Sequence, residues 1–146
     1  MINIADLSAA TVTLLRNNPT LSDVKEIERG EYANRDAARA PWIGVYRSDV
    51  SYEPRALGNH NRSWLATVTQ KLIVQVYSGT GEAAEDELED LVSRVMAALL
   101  GDLTLRNYVE MLRSLKIQYS YDETDGSSMD FQWAFITLTY EARTGV

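Results

Sequence analysis

The sequence predicts an α+β domain of two layers, a mainly antiparallel sheet of four to five strands with two main helices on one face. Three observations support this. From Trp64 to Tyr77 the even positions Trp64, Ala66, Val68, Leu72, Val74 and Val76 form a nearly continuous apolar row. A period of two belongs to a strand with one buried face. After Ser78-Gly79-Thr80-Gly81 the period becomes helical, with Leu88, Leu91, Val92, Val95 and Leu99 on one stripe. Two further strand-like runs, Leu115 to Tyr121 and Met129 to Glu141, flank a polar stretch that contains the hairpin pair Asp125-Gly126.

The elements follow in order. Ile4, Leu7, Leu14 and Leu15 mark the apolar side of a first helix over 4–16, with Asn3 as its N-cap. Asn17-Asn18-Pro19 ends it, because a proline disfavours helical geometry in the residue before it. A weak strand is expected over 24–29, then a polar, alanine-rich loop from Gly30 to Ala40. Pro41-Trp42-Ile43-Gly44-Val45-Tyr46 is apolar on both faces, the texture of an interior strand. Ser48 to Ser63 reads as irregular and holds Pro54, Gly58 and the sole histidine, His60. Because it joins two strands, a long loop or hairpin arm is expected over about 47–63.

The second helix spans Glu82 to Leu100. Its early Glu82, Glu85, Asp86 and Glu87 complement the positive end of the helix dipole, and Gly101 marks its stop. Leu103 to Leu112 is open between a short helix and irregular chain. The order is α-β-β-(β)-α-β-β, with no repeat and no linker, so a single domain over 1–146. In the last strand Phe131, Trp133 and Phe135 alternate with Ala134, Ile136, Leu138 and Tyr140. Apolar residues on both faces imply a cover for the second face, either the arm or a neighbouring subunit.

Composition narrows the function classes. The 146 residues, 45% hydrophobic, suffice for one core. The absence of cysteine excludes disulfides, a thiol nucleophile and thiolate metal sites. No apolar run approaches the roughly 20 residues that cross a bilayer, and the first residues lack the basic start of a secretory signal. A soluble, non-exported protein without a membrane role is expected. A net charge of −7 disfavours nucleic-acid binding, which needs basic surface against phosphates. The charge is uneven: 25–71 carries eight basic and six acidic residues, and 72–146 carries five and thirteen. Either the arginines simply lie early, or the acidic half of one copy meets the arginine-bearing half of another.

No catalytic, cofactor or metal site emerges. One histidine cannot supply a two-histidine metal site. The acids Glu82 to Asp90 diverge around a helix rather than converge on a cation. Asp122, Glu123, Asp125 and Asp130 do not follow the calcium-loop spacing. Ser78-Gly79-Thr80-Gly81 lacks the Lys-Ser/Thr of a phosphate loop, and acids follow it; Ser78 or Thr80 fits better as an N-cap. Trp42, Trp64 and Trp133 lie in strands, where core packing is the plain explanation.

The N-terminal helix, Pro41 to Tyr46, the long loop and Lys71-Leu72-Ile73-Val74-Gln75-Val76-Tyr77 resemble the tail terminator, or tail completion, proteins of long-tailed bacteriophages. So do the acidic helix Glu82 to Leu100 and the closing Ile136-Thr137-Leu138-Thr139-Tyr140-Glu141. The resemblance covers nearly the whole chain and is one of order and texture, without a short diagnostic motif. It implies a non-enzymatic virion protein at the tail–neck junction, assembled in the host cytoplasm. Such proteins form homohexameric rings that cap the tail tube, end its polymerisation and receive the head through a neck or head-completion protein; contractile-tailed relatives also contact the tail sheath. By loop length and charge, the expected contact residues are Arg47, Tyr52, Arg55 and Arg62 on the arm, and Asp122, Glu123, Asp125 and Asp130 at the last turn. Two alternatives stay open: another neck or head-completion protein, and a small α+β ligand-binding module.

Overall fold

The computed structural model describes residues 4–30, 37–57, 61–77, 82–103, 109–121 and 131–145. It is an α+β fold of two α-helices and a six-stranded, mostly antiparallel sheet. In chain order the elements are α1 (Ile4–Arg16), β1 (Glu26–Arg29), β2 (Trp42–Val45), β3 (Asp49–Leu57), β4 (Asn61–Tyr77), α2 (Glu82–Leu100), β5 (Met111–Tyr121) and β6 (Phe131–Gly145). The strand order is β1-β2-β4-β6-β5, and β3 also pairs with β4. Only β1 and β2 run parallel.

Both helices lie on one face and share a single core. Leu7 and Leu15 of α1 are fully buried, as are Val95 and Leu99 of α2, and Leu88, Leu91 and Val92 nearly so. Beneath them lie Ala66, Val68, Leu72, Val74 and Val76 of β4, and Ala134, Ile136, Leu138, Tyr140 and Ala142 of β6. Those are the rows that alternation assigned to one face. After α1, the Asn18 side chain accepts from Thr20 N at 3.0 Å and caps a 3-10 turn over Pro19–Leu21. At the end of α2, Gly101 N–H still reaches Ala97 O at 3.0 Å before the chain leaves the helix.

The structure corrects three expectations. The sheet has six strands rather than four or five, because 48–63 is largely strand and not irregular. β3 takes up its first part, and β4 begins at Asn61, giving β4 17 residues. The 103–112 stretch leads into β5, which starts at Met111 instead of Leu115. The expected caps Asn3, Ser78 and Thr80 lie outside the described residues.

β2 and β3 share one edge of β4, since β6 occupies the other along nearly its full length. Val45 opposes Leu72 and Asp49 opposes Thr69, so Tyr46, Arg47 and Ser48 face only Gln70 and Lys71. That is one extra residue, a β-bulge, and it shifts the side-chain parity. Ile43 and Val45 before the bulge, and Val50 after it, therefore all pack against the helix-side core. A buried polar cluster holds the bulge. Gln70 Nε2 donates to Tyr46 O and, at 3.3 Å, to Lys71 O; Ser48 Oγ donates to Gln70 Oε1; Ser8 Oγ of α1 donates to Tyr46 O at 3.2 Å. Gln70 is the polar break in the apolar row of β4, and it is fully buried.

Candidate assembly surfaces

Two surfaces follow from this sheet. The first is the two-stranded arm, in which β3 and the first half of β4 pair from Asp49↔Thr69 out to Leu57↔Asn61. Burial fades along it: Val50 is half-buried, whereas Tyr52 and Pro54 are exposed. Of the expected contact residues, Arg47 sits exposed in the bulge at the arm's base. Tyr52 lies halfway along, opposite Ala66, and is 39% exposed. Arg55 pairs with Ser63 and Arg62 with Ala56, next to the Leu57↔Asn61 end. The fold thus gathers these four onto one arm.

Asp122, Glu123, Asp125 and Asp130 lie outside the described residues. The strands that bound them do locate the segment's ends: β5 closes at Tyr121, paired with Gln132, and β6 opens at Phe131, paired with Tyr77. Tyr77 is the last residue of β4, and Asn61, paired with Leu57 at the end of the arm, is its first. A strand of 17 residues spans about 50 Å at roughly 3.3 Å per residue. The described residues that bound this segment, Tyr121 and Phe131, therefore stand at the other end of β4 from the Leu57↔Asn61 pair of the arm.

The second surface is the sheet face turned away from the helices. Trp133 and Phe135 lie on it with ring centroids 6.4 Å apart at an interplanar angle of 52°, and Phe135 is 36% exposed. Trp133 Nε1 is buried without a hydrogen-bond partner among the described residues. Farther along β6 this face turns polar through Thr137, Thr139 and Glu141. The last strand is thus apolar on both faces only in its first part.

Toward the β1 edge the same face is closed. Trp42 is 2% exposed and its indole covers Gly44, so tightly that a Cβ at Gly44 would overlap the ring, with Cζ3 at 2.7 Å. Its Nε1 donates to Glu28 Oε1 at 2.8 Å. Arg39 Nε donates to Glu26 Oε2 at 2.7 Å, and Arg39 Nη2 pairs with Glu28 Oε1 at 2.5 Å. These contacts raise the Arg39 guanidinium above its ordinary value, led by the hydrogen bond that Arg39 donates to Glu26. Sequence reasoning missed this cluster because Arg39 falls in a stretch that reads as loop. The available signal was Glu26-x-Glu28, two acids on one face of a strand.

The acids of α2 behave as a solvated face. Glu85, Asp86, Glu87, Glu89 and Asp90 are exposed. Arg94 Nε donates to Asp90 at 3.0 Å, and its Nη1 donates to Asp23 at 2.6 Å and to Thr20 O at 2.8 Å. The hydrogen bond from Arg94 holds the Asp23 carboxyl below its ordinary value. Deep in the core, burial pushes the Tyr140 phenol well up, and its hydroxyl has no partner among the described residues. An open cleft of about 400 Å³ runs along β1, lined by Arg16, Leu21, Val24 and Lys25 among others. Among the described residues, no group of three or more His, Cys, Asp or Glu could hold a metal ion, and no helix is long and apolar enough to cross a membrane. His60 lies outside those residues.

No family model and no curated protein sequence matches the chain. Among solved structures, it is similar to a chain described as "Virion of native gene transfer agent (GTA) particle", at 14% identity and a TM-score of 0.40, with 98% of each chain covered. At that identity and score the likeness carries no functional argument.

Proposed function

We propose that this chain is a non-enzymatic structural virion protein of the tail terminator type, whose copies form a ring that caps the tail tube, ends its polymerisation and offers a surface for head joining. The observation that carries the proposal is the placement of its charged segments. Arg55 and Arg62 flank the Leu57↔Asn61 end of the arm and Arg47 stands at its base, whereas Tyr121 and Phe131, which bound the segment with Asp122, Glu123, Asp125 and Asp130, stand at the other end of β4. A ring requires a heterologous interface, in which one patch on each copy meets a different patch on the next. Arginine-bearing and acidic segments on one chain supply such a pair and disfavour like meeting like. The Trp133–Phe135 patch adds apolar surface for burial. The partners are further copies of the chain, the tail tube protein and a neck or head-completion protein, with the tail sheath added in a contractile tail.

The test is the mass in solution by light scattering, alone and with purified tail tubes. A particle of about six copies, or a monomer that becomes bound only at tube tips, is the expected result. A stable monomer or dimer indifferent to tubes would overturn the proposal. Reversing Arg55 and Arg62 together is expected to abolish capping; intact capping would remove the arm from the contacts.

A further inference from the structure

The sheet has two long edges to which no strand is bonded among the described residues. β5, 11 residues long, pairs only with β6, and β3, nine residues long, pairs only with β4. The third edge, β1, has four residues, and Arg16 Nε holds its Ile27 carbonyl oxygen at 2.7 Å. Long, uncovered edges are templates for the addition of another strand.

We infer that β5 of one copy pairs antiparallel with β3 of the next, so that the β3-β4-β6-β5 sheets of successive copies run on into one another. The inference rests on the ring reading above and names the contact that would build the ring. Strand direction fits. β3, β4, β6 and β5 alternate in direction, and β5 beside a second copy's β3 continues the alternation.

Side chains fit as well. Aligning the midpoints of the two strands sets Glu53 opposite Lys116, both exposed. Glu53 pairs with Leu65, and Lys116 with Thr137, which pairs with Lys71. Leu65 and Lys71 stand in the same row of β4, so Glu53 and Lys116 occupy the same face, away from the helices. Opposite charges directly across an antiparallel pair are favourable. On the other face this register sets Tyr52 against Ile117 and Val50 against Tyr119. It would cover Tyr52 and Tyr119, which are 39% and 55% exposed. Pro54, opposite Leu115, has no N–H, so the ladder forgoes any bond that position would donate.

The offset favours closure. Through β6, the ends of β5 lie level with Thr67 and Val76 of β4, whereas β3 lies level with 61–69. Pairing the edges displaces each copy by roughly six residues, about 20 Å along the strands, over four strands about 19 Å wide. Successive copies therefore climb at close to 45° to the strand direction, next to the roughly 35–45° tilt of closed barrels. Repetition of that step meets the stagger that closure into a ring requires.

The chain lacks cysteine, so an introduced pair reports only this contact. Glu53→Cys and Lys116→Cys are combined in one chain. Within a copy the two positions lie three strand spacings, about 14 Å, apart across the sheet and about 20 Å apart along it, well beyond the roughly 7 Å that a disulfide bridges. Mild oxidation of the assembled protein is expected to give a ladder of linked copies on a non-reducing gel, ending in a closed ring, with neither single variant linking. Ring mass by light scattering without linkage would overturn the inference and leave the proposed function standing. Dimers from Lys116→Cys alone would replace it with β5–β5 pairing. Absence of assembly with and without tubes would remove both. In the charge version, Glu53→Lys or Lys116→Glu alone raises the concentration for half-assembly several-fold, and the double exchange restores it.

Discussion

At the scale of single residues, Gly44 and Trp42 carry the clearest constraint. The indole of Trp42 occupies the space that a side chain at Gly44 would need. Gly44→Ala is therefore expected to destabilise the fold by about 1–3 kcal/mol, the usual cost of overpacking, read as a lower urea midpoint. An unchanged midpoint would mean that the indole swings aside freely. Asp23 gives a second prediction. Arg94 lowers its folded-state value below the ordinary 3.8, so the stabilisation is present above that pH and is lost as pH falls through the lowered value. Asp23 is largely exposed, with 57% of its side-chain surface in solvent, and the pair is worth less than about 1 kcal/mol. The stability difference between the native chain and Asp23→Asn is expected to be small at about pH 6 and to shrink as pH falls through the lowered value. A difference that persists in acid would assign the effect to packing.

At the scale of elements, the bulge between β2 and β3 decides the shape of the sheet. It lets one edge of β4 serve two strands and keeps their apolar residues on the helix side despite the extra residue. Gln70 holds it, and its substitution gives a test of sign. By apolar pattern alone, Gln70→Leu completes the row from Trp64 to Val76 and should stabilise. The hydrogen bonds to Tyr46, Ser48 and Lys71 argue the reverse, because buried polar groups left without partners cost about 1–3 kcal/mol. A lower urea midpoint and faster amide exchange over β3 are expected; a gain in stability would show that the bulge holds without Gln70. Both helices, β4 and β6 were legible because their periods are unambiguous over ten residues or more, whereas β5 was legible only from Leu115 onward. β3 was not, since Pro54 and alternating charge mask a strand whose partner is found only by folding back.

At the scale of the whole molecule, the β4–β6 pair is a beam with the arm at one end and the acidic segment's boundaries at the other. Those two ends are far apart on one copy, which fits the proposed contacts with different neighbours. The mass measurement and the linkage test belong to this scale, because neither outcome follows from any one residue. The residue types at the candidate surfaces were visible in the sequence. Arg47, Tyr52, Arg55 and Arg62 stood out by loop length and charge, whereas Lys116 and Tyr119 looked like ordinary strand residues.

The sequence by itself determined the layer order, the two helical stripes and which residues of β4 and β6 enter the core. Periodicity and apolar burial are local properties, written directly into residue spacing. Only the tertiary structure decided the number of strands, the bulge at Tyr46 to Ser48, the burial of Gln70 and the closure of Trp42 over Gly44. It also decided which edges stay open. Those depend on pairing between residues distant in the chain, and spacing along the chain carries no record of partners across it.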